Sequence, residues 1–268
     1  MLPVSCEWLQ VCGYLTIMRF WYGLYKKLHS GIGEMRQESL DTKWSLRAAL
    51  KRFCIVVVFG IAFGYIEAAV VVYLRAIFYP DGFIFPLAEF GTGALWKRLL
   101  LTEVGREAAS MVLIFSAAWL FGRNFRQRFA YFSIIFAVWD IFYYIWLKLL
   151  IDWPKSIMDW DILFLIPKAW AAPVAAPVLV SLTLLIFAVL ILYRDCCGRV
   201  TKVTQMDWLG FAVSGIIVVG SFCYAGLYIA QPDFHSYFHW PMFGLGEALA
   251  IGLFVRCLWK SKSANPDP

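Results

Sequence analysis

Residues 53–78 read FCIVVVFGIAFGYIEAAVVVYLRAIF, with only two charged side chains, Glu67 and Arg75. A helix rises about 1.5 Å per residue, so about 20 apolar residues cross a hydrocarbon core of about 30 Å. This stretch is long enough to span a bilayer. Five more follow, at 99–121, 129–151, 170–193, 208–230 and 241–258. Breakers separate them: Tyr-Pro-Asp-Gly at 79–82, Gly-Arg-Asn at 122–124, Asp-Trp-Pro at 152–154 and Gln-Pro-Asp at 231–233. The last span is short and needs tilt adjustment or local thinning of the bilayer.

The composition agrees. Of 268 residues, 62% are hydrophobic and 16% charged, with mean hydropathy +0.69, against about 45–50% and about 25% in soluble domains. A single soluble core of this size cannot hide such an excess. Disorder, coiled coil and a small disulfide scaffold are excluded by the same figures. The expected fold is an all-α, polytopic six-helix bundle with a polar cavity in its outer half.

Net charge is +6, which in a membrane chain speaks first to topology. Arg123, Arg126 and Arg128 crowd one loop, and Arg194, Arg199 and Lys202 another. Lys43, Arg47, Lys51 and Arg52 precede the first span, and Lys260 and Lys262 follow the last. The positive-inside rule therefore places both termini in the cytoplasm, with the other face periplasmic in a bacterial inner membrane. No segment outside the apolar blocks is long enough for a nucleic-acid domain, so the expected surroundings are the lipid bilayer and a homo-oligomer or larger membrane complex. Residues 1–34 read either as an interfacial amphipathic helix around Trp8–Tyr25 or as an over-long start ahead of Met35. Residues 35–52 read as a basic leader, 53–258 as one membrane domain and 259–268 as a tail. The seven cysteines show no metal spacing and no CxxC, and are expected to stay reduced.

Ionisable groups inside spans are costly and point to function. Counting along the helices puts Glu67 about 9 Å, Glu103 about 6 Å, Arg106 about 10 Å, Glu107 about 12 Å, Asp140 about 13 Å and Glu247 about 9 Å below the outer surface. Glu103, Arg106, Glu107 and Ser110 follow i, i+3, i+4, i+7 spacing, one polar stripe that cannot face lipid. Glu67 shares its face with Gly60 and Gly64, a small-xxx-small pair that admits a neighbouring helix. Asp140 shares a face with Ser133, Tyr143 and Tyr144, with Lys148 further out. Five carboxylates with one in-layer arginine cannot all stay ionised, so the site must hold protons, a metal ion or a cationic group, or pair with Arg75 or Lys148.

The catalytic candidates are therefore Glu67, Glu103, Glu107, Asp140 and Glu247. Arg106, Tyr143, Tyr144, Lys148 and Arg75 are the candidates for substrate binding. The bland alternative is a buried ion pair of Arg106 with Glu67, Glu103 or Glu107 that sets helix register, and snorkelling of Glu247. His235 and His239 form HxxxH, which on a helix would present both imidazoles to one Zn, Mn or Fe ion together with Glu103 and Glu107. Interfacial histidines stacked among aromatics are the alternative. Within 152–177, the run Ile162–Ile166 reads as a re-entrant lid or an ordinary interfacial loop.

Haem is disfavoured, since none of the three histidines lies in a span. No nucleophile elbow, P-loop or dinucleotide fingerprint stands in a suitable context. What remains is a membrane enzyme acting on a lipid-like or amphiphilic substrate. A proton- or cation-coupled transporter and a subunit of a larger membrane complex are the alternatives.

Overall fold

The computed structural model describes residues 46–79, 82–83 and 94–263. The chain divides into two compact units, Met1–Ala49 and Leu50–Pro268. The readings made for residues 1–34 lie outside the described residues, as does the end of the tail.

Six helices are long and apolar enough to cross a membrane: α1 Leu46–Phe78, α2 Ala94–Phe121, α3 Phe125–Ile151, α4 Ala175–Cys196, α5 Gln205–Gly226 and α6 Trp240–Ser263. Their ends follow local chemistry. The Asn124 side chain accepts from the Gln127 amide and starts α3. Thr204 and Asp207 form a reciprocal capping box that starts α5. Asp152, at φ 52°, closes α3 in the left-handed conformation that Asp tolerates better than most residues. Large apolar side chains such as Leu101, Val112, Leu120, Ile216 and Leu245 stay exposed, as they would against lipid.

Two predicted spans change at their ends. Residues 170–173 do not begin α4; they form strand β2 (Trp170–Pro173), antiparallel to β1 (Trp160–Phe164). Trp160 stands opposite Pro173, Asp161 opposite Ala172 and Ile162 opposite Ala171, with an irregularity between Ile162 and Phe164. The segment expected as a re-entrant lid or loop is thus a β-hairpin. Pro173 donates no amide and ends the strand, while Pro177 falls in the first turn of α4, where a missing amide costs little. The fifth span ends at Gly226, four residues short of its expected end.

Helix α3 is the centre of the bundle, with Ala130, Ile134, Ile135, Ala137 and Leu147 fully buried. Helix α1 packs on it through the predicted glycine pair. A Cβ on Gly60 would lie 2.9 Å from Val138 Cγ1, and one on Gly64 would lie 3.0 Å from the Trp139 carbonyl oxygen. Trp146 Nε1 donates to the Ile61 carbonyl at 3.1 Å across the same contact. Helices α5 and α6 meet in the same way at Gly246, whose carbonyl accepts from Ser214 Oγ at 2.9 Å. Both contacts use a small residue to bring backbones close and a hydrogen bond to hold them.

The hairpin rests on an aromatic bed. Trp160 meets Phe234 edge to face at 4.9 Å, and Phe222, Phe238 and Phe243 complete the cluster. The carbonyl of Ala169 lies where a side chain on Gly226 would otherwise be. At the opposite end of the bundle, Arg126 pairs with Asp195 at 3.0 Å and Arg256 with the buried Asp207 at 2.5 Å, tying α3 to α4 and α5 to α6.

Candidate functional site

The polar stripe of α2 turns away from lipid, its Arg106 and Ser110 meeting Glu67 of α1. Arg106 donates through Nε to Glu103 at 2.9 Å and through its terminal nitrogens to Glu67 and Glu103. Ser110 Oγ donates to the other oxygen of Glu67 at 2.6 Å. Glu107, on the same stripe, points to the hairpin and accepts the Leu165 amide at 2.9 Å.

A second cluster joins the hairpin to α1 and α3. Asp161, fully withdrawn from solvent on β1, pairs with Arg75 at 3.1 Å and accepts the Tyr143 hydroxyl at 3.3 Å. The Arg75 guanidinium lies 4.1 Å from the centre of the Phe83 ring and 3.8 Å from that of Trp153, so aromatic faces enclose it on the sides that Asp161 does not. Burial pushes the Asp161 carboxyl above the usual carboxylate range, while Arg75 pulls it back.

Two further carboxyls converge on α4 from its neighbours. Asp140 of α3 accepts from Ser181 Oγ at 2.8 Å, and Glu247 of α6 accepts from Thr183 Oγ1 at 2.8 Å. All these acids border one cavity of about 670 Å³. Its wall is mainly aromatic and aliphatic, including Phe132, Phe136, Trp139, Phe187, Phe222 and Phe254. Along α3 the lining runs from Arg126 to Tyr144, about 27 Å of helix.

Of the residues singled out in the sequence, Glu67, Glu103, Glu107, Asp140, Glu247, Arg106, Arg75, Tyr143 and Tyr144 line this cavity. Lys148 does not. It pairs with Asp152 at 2.7 Å on an exposed surface, one turn beyond Tyr144, where the lining along α3 ends.

The metal constellation of His235 and His239 with Glu103 and Glu107 is not assembled. Residues Phe234–Tyr237 form a 3-10 turn followed by extended backbone at Phe238. That geometry does not bring positions i and i+4 onto one face. His235 packs against Phe234 and Trp160, and His239 against Tyr224. Among the described residues, no three His, Cys, Asp or Glu side chains are grouped to hold a metal ion.

Asp161 is the site residue that sequence reading passed over. Its one signal is a carboxylate inside the apolar run WDILFLI.

The exposed Asp152 offers a pH test of the ion pairs at the end of α3. Hydrogen bonds and charge from Lys148 and Lys155 hold its carboxyl down to about 2. Its contribution is therefore present above the ordinary carboxylate value of about 4 and is lost as pH falls toward 2. Thermal unfolding should show wild type above Asp152→Asn at neutral pH, with the gap closing between about pH 4 and pH 2. A gap independent of pH would remove the ion pairs from the explanation.

Taken together, the helices and their outward apolar faces define a multi-pass membrane protein with a partly open, mainly apolar cavity. Comparison with protein-family models, with curated proteins and with solved structures finds no match for the chain.

Proposed function

We propose that this chain is a membrane-embedded enzyme acting on a lipid-like or amphiphilic substrate in a bacterial inner membrane. Its termini are cytoplasmic and its carboxylate end faces the periplasm. The observation that carries this reading is the cavity itself, with about 670 Å³ of mainly apolar space bordered by carboxyl groups. Ligand pockets run from about 300 to 1,000 Å³, so an apolar chain fits beside a reacting head.

Glu107 is the general acid/base in this reading. One of its oxygens is held by the Leu165 amide, which fixes the carboxyl, and no cation pairs with it among the described residues. Glu67 and Glu103 position Arg106 across the site, and Tyr143 and Tyr144 offer hydroxyls beside Asp161. A positioned carboxyl of this kind contributes about 10²–10⁴ in rate.

Native mass spectrometry of protein purified from its own membrane tests the proposal. Wild type should carry an amphiphile, and Glu107→Gln should carry a different one, its unconverted precursor. Protein free of amphiphile, or the same species on both forms, would overturn the reading.

The length of the cavity favours a second reading, a coupled transporter, since the lining from Tyr144 to Arg126 spans nearly the thickness of a bilayer core. Glu107-dependent movement of an ion or solute in proteoliposomes would select it.

A further inference from the structure

Every arginine on the cavity wall already faces a carboxylate. Arg75 is held by Asp161, Arg106 by Glu67 and Glu103, and Arg126 by Asp195. Lys97, the one lysine on the lining, lies exposed at the start of α2, away from Asp140 and Glu247 on the other helices. An anionic head entering the cavity therefore meets no unpaired arginine.

The carboxyls are in the opposite position. Glu107, Asp140 and Glu247 border the same space and accept hydrogen bonds only from neutral donors: an amide, a serine and a threonine. Among the described residues, no Lys or Arg nitrogen makes an ion pair with any of them. Asp140 of α3 and Glu247 of α6 thus border the cavity from two different helices, each anchored to a hydroxyl of α4. Phe136, Phe187 and Phe254 line the wall there, the last two stacked at 4.0 Å. Carboxyls with free lone pairs among aromatic faces match an ammonium group, which gains from both.

We propose that the cavity takes a cationic amphiphile, its amine or ammonium head at the carboxyls without an ion pair, Asp140 and Glu247 beside Glu107, and its apolar chain along the phenylalanine wall. This rests on the amphiphile reading above and names its chemical class. The wall's excess of acids over bases then has a purpose: the ligand supplies the missing positive charge, and binding needs no internal ion pair to break.

Spin-labelled chains of equal length carrying ammonium, hydroxyl or sulfate heads separate the possibilities. Each is titrated into nanodiscs of zwitterionic phosphatidylcholine holding the full chain, and the bound fraction is read from the immobilised spectral component. The ammonium chain should bind about tenfold or more tighter than the sulfate chain, and Asp140→Asn with Glu247→Gln should remove that preference. Equal binding of all three heads, or a preference for sulfate, would overturn the inference while leaving the amphiphile reading in place. No binding of any chain would overturn both. The comparison of heads on the wild-type chain decides the matter even if the double variant fails to fold.

Discussion

Replacing Arg106 by methionine is expected to destabilise the bundle by about 3–5 kcal/mol, the usual cost of breaking a buried ion pair from one side. Glu67 is 5% exposed and Arg106 pairs with it from the neighbouring helix. Without the guanidinium, Glu67 keeps only the Ser110 hydroxyl, and Glu103 loses both of its bonds to Arg106. The penalty lies in the stranded charges, so neutralising them should reverse it. Adding Glu67→Gln and Glu103→Gln to Arg106→Met is expected to recover most of the lost stability, because the effects of residues in one network do not add. Thermal unfolding in a mild detergent measures both steps. A triple variant no more stable than Arg106→Met would show that the pair is not what joins α1 to α2.

The second large effect is expected at Gly226. A methyl group there would fall on the carbonyl of Ala169, a backbone atom of the hairpin loop that cannot rotate away. Gly226→Ala should therefore displace the hairpin, at a cost of about 1–3 kcal/mol as for other overpacked sites. The displacement has a chemical consequence. Asp161 would leave Arg75 and Tyr143, and the Leu165 amide would leave Glu107, so the cavity would lose two anchors at once. Hydrogen exchange reads this directly: the β1 and β2 amides should lose protection while those at the centre of α3 keep theirs. Unchanged protection of β1 would mean the hairpin tolerates the methyl group and is not seated by that contact.

These two sites also mark what was legible in the sequence. The i, i+3, i+4, i+7 stripe on α2 and the Gly60–Gly64 pair on α1 are periodic features of single helices, and a helix fixes which way such residues face. Their pairing across α1 and α2 follows once both stripes must avoid lipid. The hairpin is different. Its strands are short, and the apolar run from Ile162 to Ile166 has no polar alternation to separate a strand from a buried loop or a re-entrant turn. Asp161 therefore read as one of several acids in an interfacial loop, although burial on β1 makes it the partner of Arg75. His235 and His239 are not grouped with Glu103 and Glu107 for a related reason. Their spacing argues for one face only on an α-helix, whereas His235 lies in a 3-10 turn, His239 follows it, and each packs against aromatic rings. Lys148 had the right face but the wrong height, and the exposed Asp152 holds it instead.

A cryo-EM map of the full chain in nanodiscs of its own membrane lipid tests the central claim most directly. An amphiphile-binding cavity predicts elongated density beginning beside Glu107 and running between Phe136 and Phe187. A cavity closed by inward-turned side chains, or one holding only isolated water-sized density, would contradict it.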